Sequence, residues 1–202
     1  SPTDEMASEA MVDADGMASR HDADGIVGLC DKSGKSVCDV VKVIGAFQNF
    51  FWEETSLLTL LSCESIKYSL QNGVCLESAT AFAMYAMLKI RHDDFLCGKW
   101  WADASRAIIQ HYKDTKRAVD PAPAVSARNI LYWAVDVWFT PAREIGSKSL
   151  EHYVEATKAG LVDDAINSLM GRWSYLLYGG ENLSIVSQSS LRRFREIAKY
   201  SQ

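Results

Sequence analysis

Along most of this chain apolar residues return every third or fourth position, and no stretch sustains the every-second-residue alternation of a strand. That period gathers apolar side chains on one face of an α-helix. The first clear instance is Val37, Val40, Val41, Ile44, Phe47 and Phe51, behind a candidate N-cap at Ser36. A second helix is expected over 53–72, closed by Gly73, because glycine readily takes the left-handed turn that follows a helix. A third carries Ala79, Phe82, Ala83, Ala86 and Ile90, and a fourth, opened by Asp93 and Asp94, carries Gly98, Trp101, Ala102, Ser105, Ile108, Ile109 and Tyr112.

After a loop over 113–123 the pattern resumes. A fifth helix shows Ala127, Ile130, Leu131, Ala134 and Val137. A sixth starts at Thr140-Pro141, carries Ala142, Ile145, Ser149, Tyr153 and Ala156, and ends at Gly160. The seventh places Ala165, Ile166, Leu169, Met170, Trp173, Leu176 and Leu177 on one stripe before Gly179-Gly180, and the eighth, capped by Asn182, runs through Leu191, Phe194 and Ile197. Helices joined by short connections pair antiparallel with their sequence neighbours. Pairs starting near Ala79, Ser126 and Val162 recur at roughly forty residues, a helical-repeat period. The expected fold is therefore all-α: antiparallel helix pairs stacked as a degenerate α-solenoid over 36–202. Residues 1–35 read as a disordered acidic tail, with too few large apolar side chains to offset the entropy lost on ordering.

The charge balance narrows the partners. A net charge of −5 argues against a general nucleic-acid binder, which needs a basic face to neutralise phosphates. No apolar run approaches the roughly 20 residues that span a bilayer. Five cysteines, Cys30, Cys38, Cys63, Cys75 and Cys97, are odd in number and all in the first half, which points to reduced thiols and a cytoplasmic location rather than a disulfide framework. A chain that begins at Ser1 rather than Met reads as processed or as a piece of a longer protein.

Four patterns invite a chemical reading. Gly34-Lys35-Ser36 before a helix looks like the end of a phosphate-binding loop, but that loop needs a glycine at position 29, which is Leu29. Asp-Ala-Asp-Gly occurs at 13–16 and again at 22–25, without the frame or the distal Glu of a calcium loop. Asp93-Asp94 and Asp163-Asp164 could serve a helical magnesium-dependent enzyme if they faced one pocket; at helix starts they also simply offset the dipole. His21, His92, His111 and His152 form no metal-binding spacing, and Arg192, Arg193, Arg195 and Lys199 make a basic last helix that reads as a solvated face. No catalytic, cofactor-binding or metal-ligating residue is expected from these motifs.

Several packing and turn residues resemble a known family. Ser78, Ala79, Phe82 and Tyr85 form a small-residue helix with aromatics; Trp138 runs into Thr140-Pro141; Gly160 precedes Asp163 and Asp164; Gly180 precedes Leu183. Over about residues 73–184 the chain resembles the tetratricopeptide-like helical region of large predicted ATPases of the AAA/STAND type, often fused to kinase or cyclase modules. The resemblance implies a non-catalytic regulatory or protein-interaction segment of a larger ATPase-linked signalling protein, whose partner is a protein or another module of the same parent chain. It carries over no catalytic residue. Trp100, Tyr132 and Phe139 lie off the core stripes of their helices, with Asp136 between the last two; such residues either pack between adjacent helix pairs or line a partner-binding groove, and they are the candidate partner-binding residues.

Overall fold

The computed structural model describes residues 4–50, 54–115, 120–188 and 190, and all its regular elements are helices. The chain divides into two units, Ser1–Leu131 and Tyr132–Gln202.

The first unit holds α1 (Asp4–Ala18), α2 (Ala23–Cys30), α3 (Lys35–Phe50), α4 (Thr55–Asn72), α5 (Ser78–Arg91), α6 (Phe95–Asp114) and α7 (Ala122–Ile130). Its centre is α5. The sequence pattern suggests one apolar face there, yet twelve of its fourteen residues are buried. The reason is composition: alongside Phe82, Tyr85 and Leu88 stand Ala79, Ala81, Ala83 and Ala86, small enough to let helices approach from every side. α3, α4, α6 and α7 all pack on it. Hydroxyls tie the neighbours down: Ser105 on α6 donates to the Ala79 carbonyl at 2.8 Å, and Thr80 on α5 donates to the Pro123 carbonyl at 3.1 Å.

The segment 1–35, expected as a disordered tail, instead contributes α1 and α2 to this unit. Counting large apolar residues misses how α1 is held. Ala7, Ala10, Ala14 and Ala18 recur at helical spacing, are buried, and let α1 lie close against α4. In α2, which packs on α6, Ile26 and Cys30 are fully buried. The Asp-Ala-Asp-Gly copies find ordinary roles: the first lies inside α1, and in the second Asp22 caps α2 by accepting from the Gly25 amide at 2.7 Å. Lys35 begins α3, so the expected cap at Ser36 is already inside the helix.

Gly73 ends α4 with φ 110°, and a Cβ there would stand 2.7 Å from the Ser33 amide nitrogen. Only glycine meets both demands, the left-handed backbone and the close approach of the α2–α3 turn. Beside it the Val74 amide donates to the Leu29 carbonyl at 3.1 Å, which fixes the α4–α5 connection against the end of α2.

The expected fifth helix is interrupted. α7 stops at Ile130, and the chain continues as a π turn (Leu131–Val135) and a 3-10 turn (Asp136–Trp138). The second unit then forms α8 (Ala142–Lys158) and α9 (Val162–Tyr178), joined by three residues and packed on each other. Gly160, with φ 74°, makes that turn as expected: the Leu161 amide donates back to the Ala156 carbonyl at 2.9 Å and the Gly160 amide to Thr157 at 3.1 Å, closing the helix end. Asn182 caps the next helical segment, 183–188, its side chain accepting from the Ser184 amide at 2.9 Å. Arg192, Arg193, Arg195 and Lys199, like Phe51, lie outside the described residues. Among the described residues no helix is long and apolar enough to cross a membrane.

Candidate interaction site

Two surfaces draw attention: the polar seat of α1 in the first unit, and one side of α9 in the second.

The seat is built around Asp15. Helix α1 presents this carboxylate, next to its alanine stripe, to the ends of α5 and α6. Asp15 Oδ1 accepts from Trp101 Nε1 at 3.2 Å and lies 3.7 Å from the Cys97 thiol, while Oδ2 pairs with Lys89 Nζ. Tyr85 Oη sits 3.0 Å from the Met11 carbonyl and 3.2 Å from Asp15 Oδ1, and gives its one proton to either. Lys89 is only 7% exposed; Asp94 at 3.8 Å and the Tyr85 ring, 5.5 Å from the ammonium, complete its surroundings. A lysine this buried needs such partners, because an unpaired ammonium in a dry interior costs several kcal/mol, of order the whole stability of a small domain. Burial, and then the neighbouring Asp15, push the Cys97 thiol up to about 11, and burial above all pushes the Tyr85 hydroxyl well above its usual value. Both groups stay protonated at neutral pH and act as hydrogen-bond donors; neither is a nucleophile in waiting. Beside the seat, α1 and α4 leave an open groove of about 650 Å³ that mixes Asp13, Arg20, Glu64 and Lys67, with Lys67 paired to Glu64 at 2.6 Å. The seat fixes a helix.

In the second unit, the single stripe expected on α9 splits in two. Ala165, Leu169 and Leu176 are buried, opposite Ile145, Ser149, Tyr153 and Ala156 of α8. Ile166, Met170, Trp173 and Leu177, again at four-, three- and four-residue spacing, form a neighbouring stripe: Ile166 and Trp173 are half-buried, Met170 is 55% exposed and Leu177 45%. Polar ties hold the helix so that this face stays fixed. Arg172 Nη1 donates to the Gly146 carbonyl at 3.0 Å, and Tyr175 Oη donates to the Trp133 carbonyl at 3.2 Å.

The expected partner-binding residues fall differently. Trp100 belongs to the first unit, is half-buried, and meets Trp101 edge-on with ring centroids 4.9 Å apart. Tyr132 and Phe139 belong to the second. Because the helix breaks after Ile130, they share no helix face. Tyr132 sits in the π turn, half-buried and edge-on to the buried His152 at 5.5 Å. Phe139 follows the 3-10 turn and is 41% exposed, next to exposed Trp138. Asp136, expected between them on an outer face, is buried, its carbonyl accepting from the Phe139 and Thr140 amides at 3.0 and 2.8 Å.

The aspartate pairs fall in different units. Asp93 and Asp94 belong to the first unit, Asp163 and Asp164 to the second. Asp93 takes φ 62° in the α5–α6 turn, Asp94 caps α6 by accepting from the Cys97 amide at 3.2 Å, and Asp163 and Asp164 stand in the first turn of α9. All but Asp93 thus occupy positions where a carboxylate favours a helix start.

The α9 stripe was legible as apolar sequence, but the pattern is wide enough for one broad core face or two narrower ones. Asp15 was not legible as an anchoring residue, since one acid among many in an acidic segment carries no signal. Compared with protein-family models, curated proteins and solved structures, the chain matches none of them.

Proposed function

We propose that this chain is a non-catalytic helical interaction segment, and that the Ile166–Met170–Trp173–Leu177 side of α9 is the surface that meets its partner. One observation carries the reading: a helix hydrogen-bonded to its neighbours through Arg172 and Tyr175 presents a second apolar stripe to solvent beside the one it buries. Exposed apolar residues scattered singly are ordinary, whereas a contiguous stripe containing Met and Trp has the chemistry of a protein contact. Phe139 and Trp138 are also exposed in the same unit. The partner is a protein or another module of the same parent chain, in keeping with the resemblance to the helical regions of large ATPases. Stacking of α5–α6 and α8–α9 as successive repeats of a solenoid belongs to the same proposal.

The test is site-specific photocrosslinking in cells that make the intact protein. A crosslinker at Met170 or Leu177 should capture one discrete protein or one other segment of the parent chain. The same group at Asn167 or Ser174, exposed polar positions of α9, should capture far less. Equal capture at all four positions would end the proposal.

A further inference from the structure

Cys38, on the first turn of α3, faces the α4–α5 connection, where Cys75 and Glu77 stand two residues apart. The two thiol sulfurs and a Glu77 carboxylate oxygen all lie within 4.8 Å of one another. Among the described residues these are the only three His, Cys, Asp or Glu side chains whose donor atoms converge so closely. None of them takes part in the seat of α1 or in the α9 face.

We propose that Cys38, Cys75 and Glu77 form a binding site for a thiophilic divalent cation of the zinc class, with a fourth coordination position left open. The donor set points to the metal. Two thiolates select zinc, cadmium or cobalt over magnesium or calcium, which prefer an all-oxygen shell. With zinc–sulfur bonds of about 2.3 Å, tetrahedral ligand atoms stand roughly 3.8 Å apart, so the three donors need to close by about 1 Å at most. Side-chain rotation can supply that, since Cys38 and Glu77 are only half-buried. Three protein ligands leave the fourth position to water or to an incoming donor.

The surroundings fit this assignment. Val37 and Val41 are buried beside Cys75, and Tyr68 packs on the same cluster, giving the sulfurs an apolar wall that strengthens ion–ligand attraction. Ser78 orients the buried ligand: its Oγ lies 3.4 Å from Cys75 Sγ, accepts from the Cys75 amide at 3.2 Å, and lies 2.8 Å from Ser69 Oγ. Lys42 Nζ pairs with Glu77 at 3.0 Å, and being half exposed it can swing away when a cation takes the carboxylate. The same pair makes Lys42 the competitor of the metal. Burial pushes the Cys38 thiol up to about 12 and raises that of Cys75 too, so both protons must leave to solvent as the ion binds, and affinity should rise steeply with pH. A bound ion would clip α3 to the α4–α5 connection.

Cobalt(II) titration of the full chain in a non-thiol reductant tests the site. One equivalent should give the visible bands of a tetrahedral ion with sulfur-to-cobalt charge transfer, and zinc should displace it. Cys38→Ser and Cys75→Ser should abolish the bands, Glu77→Gln should weaken binding at least tenfold, and Cys63→Ser and Cys97→Ser should leave it unchanged. Lys42→Gln, an exposed change, supplies a sign that misfolding cannot imitate: it should tighten cobalt binding. Absence of a tetrahedral spectrum would overturn the site, as would bands that survive Cys38→Ser with Cys75→Ser. Unchanged or weaker binding in Lys42→Gln would remove Glu77 from the ligand set and with it the three-donor assignment.

Discussion

The α5–α6 and α8–α9 hairpins use the same local devices to different ends. Each joins two helices through three residues, and each turn has one residue of positive φ at the same place, Asp93 in the first unit and Gly160 in the second. The closing bonds match: Asp94 donates to Lys89 and Asp93 to Ile90 in one turn, Leu161 to Ala156 and Gly160 to Thr157 in the other. Each hairpin also brings a glycine to the helix crossing, Gly98 against α5 and Gly146 against α9. What differs is what else packs on the pair. α5 is enclosed by α3, α4 and α7 as well as α6, whereas α9 keeps an apolar stripe in solvent. Among the described residues, nine large apolar side chains are exposed in the second unit against five in the longer first one. Equivalent turns therefore make equivalent hairpins, and further helices decide whether the outer face becomes core or contact surface.

The sharpest way to break this contrast is truncation on the two apolar faces. Trp101, 1% exposed and edge-on to Phe82 and Tyr85 at 5.1 and 5.0 Å, should cost about 3–5 kcal/mol as alanine. Met170→Ala and Leu177→Ala should each change stability by less than about 1 kcal/mol, since little area is lost from the core. Urea unfolding followed by circular dichroism separates them; a comparable loss in Leu177→Ala would mean that the α9 face is structural.

Removing Asp15 should come next in size. Asp15→Ala leaves Lys89 and Trp101 Nε1 without that acceptor, and a loss of about 1–3 kcal/mol is expected. Hydrogen exchange should show the loss first in α1. Uniform acceleration across both units, with α1 no faster than the rest, would deny Asp15 its anchoring role.

The two crossing glycines make a paired measurement. A Cβ on Gly98 would stand 2.6 Å from Ile90 Cγ1 and 3.0 Å from the Ala86 carbonyl oxygen, so Gly98→Ala should destabilise by about 1–3 kcal/mol. At Gly146 the nearest atoms are Leu176 Cδ2 at 3.3 Å and Cγ at 3.4 Å, a side chain that can yield. Gly146→Ala should fall within about 1 kcal/mol of the parent, as alanine's better helix propensity offsets the contact. Equal melting temperatures for the two variants would contradict the tighter packing assigned to α5–α6.

The smallest effects belong to the turns. Gly160→Val should cost about 1 kcal/mol or more through backbone strain alone, because nothing lies within 4 Å of its Cβ position. Asp93→Gly relieves the left-handed strain of a residue with a Cβ and should stabilise by less than about 1 kcal/mol, the gain reduced by glycine's larger unfolded-state entropy. Opposite signs at equivalent positions are the expected result in thermal melts, and matching signs would show that the turns are not equivalent.

Much of this architecture is written locally. The 3.6-residue period of the apolar stripes, the turn glycines Gly73 and Gly160 and the cap Asn182 determine most of the helices after residue 36, because each depends on residues within a turn or two. Even so, the break after Ile130 left no mark in the stripe, since a π turn shifts the face without changing which residues are apolar. Contacts between residues far apart in sequence decided the rest. Whether the alanine stripe of α1 orders depended on α4 and on Lys89, seventy-four positions from Asp15. The closure of Cys38 on Cys75 depended on how α3 lies against the α4–α5 connection. A side chain's spacing names its helix face, but burial is a property of what lands on that face, and only the tertiary structure supplies the neighbour.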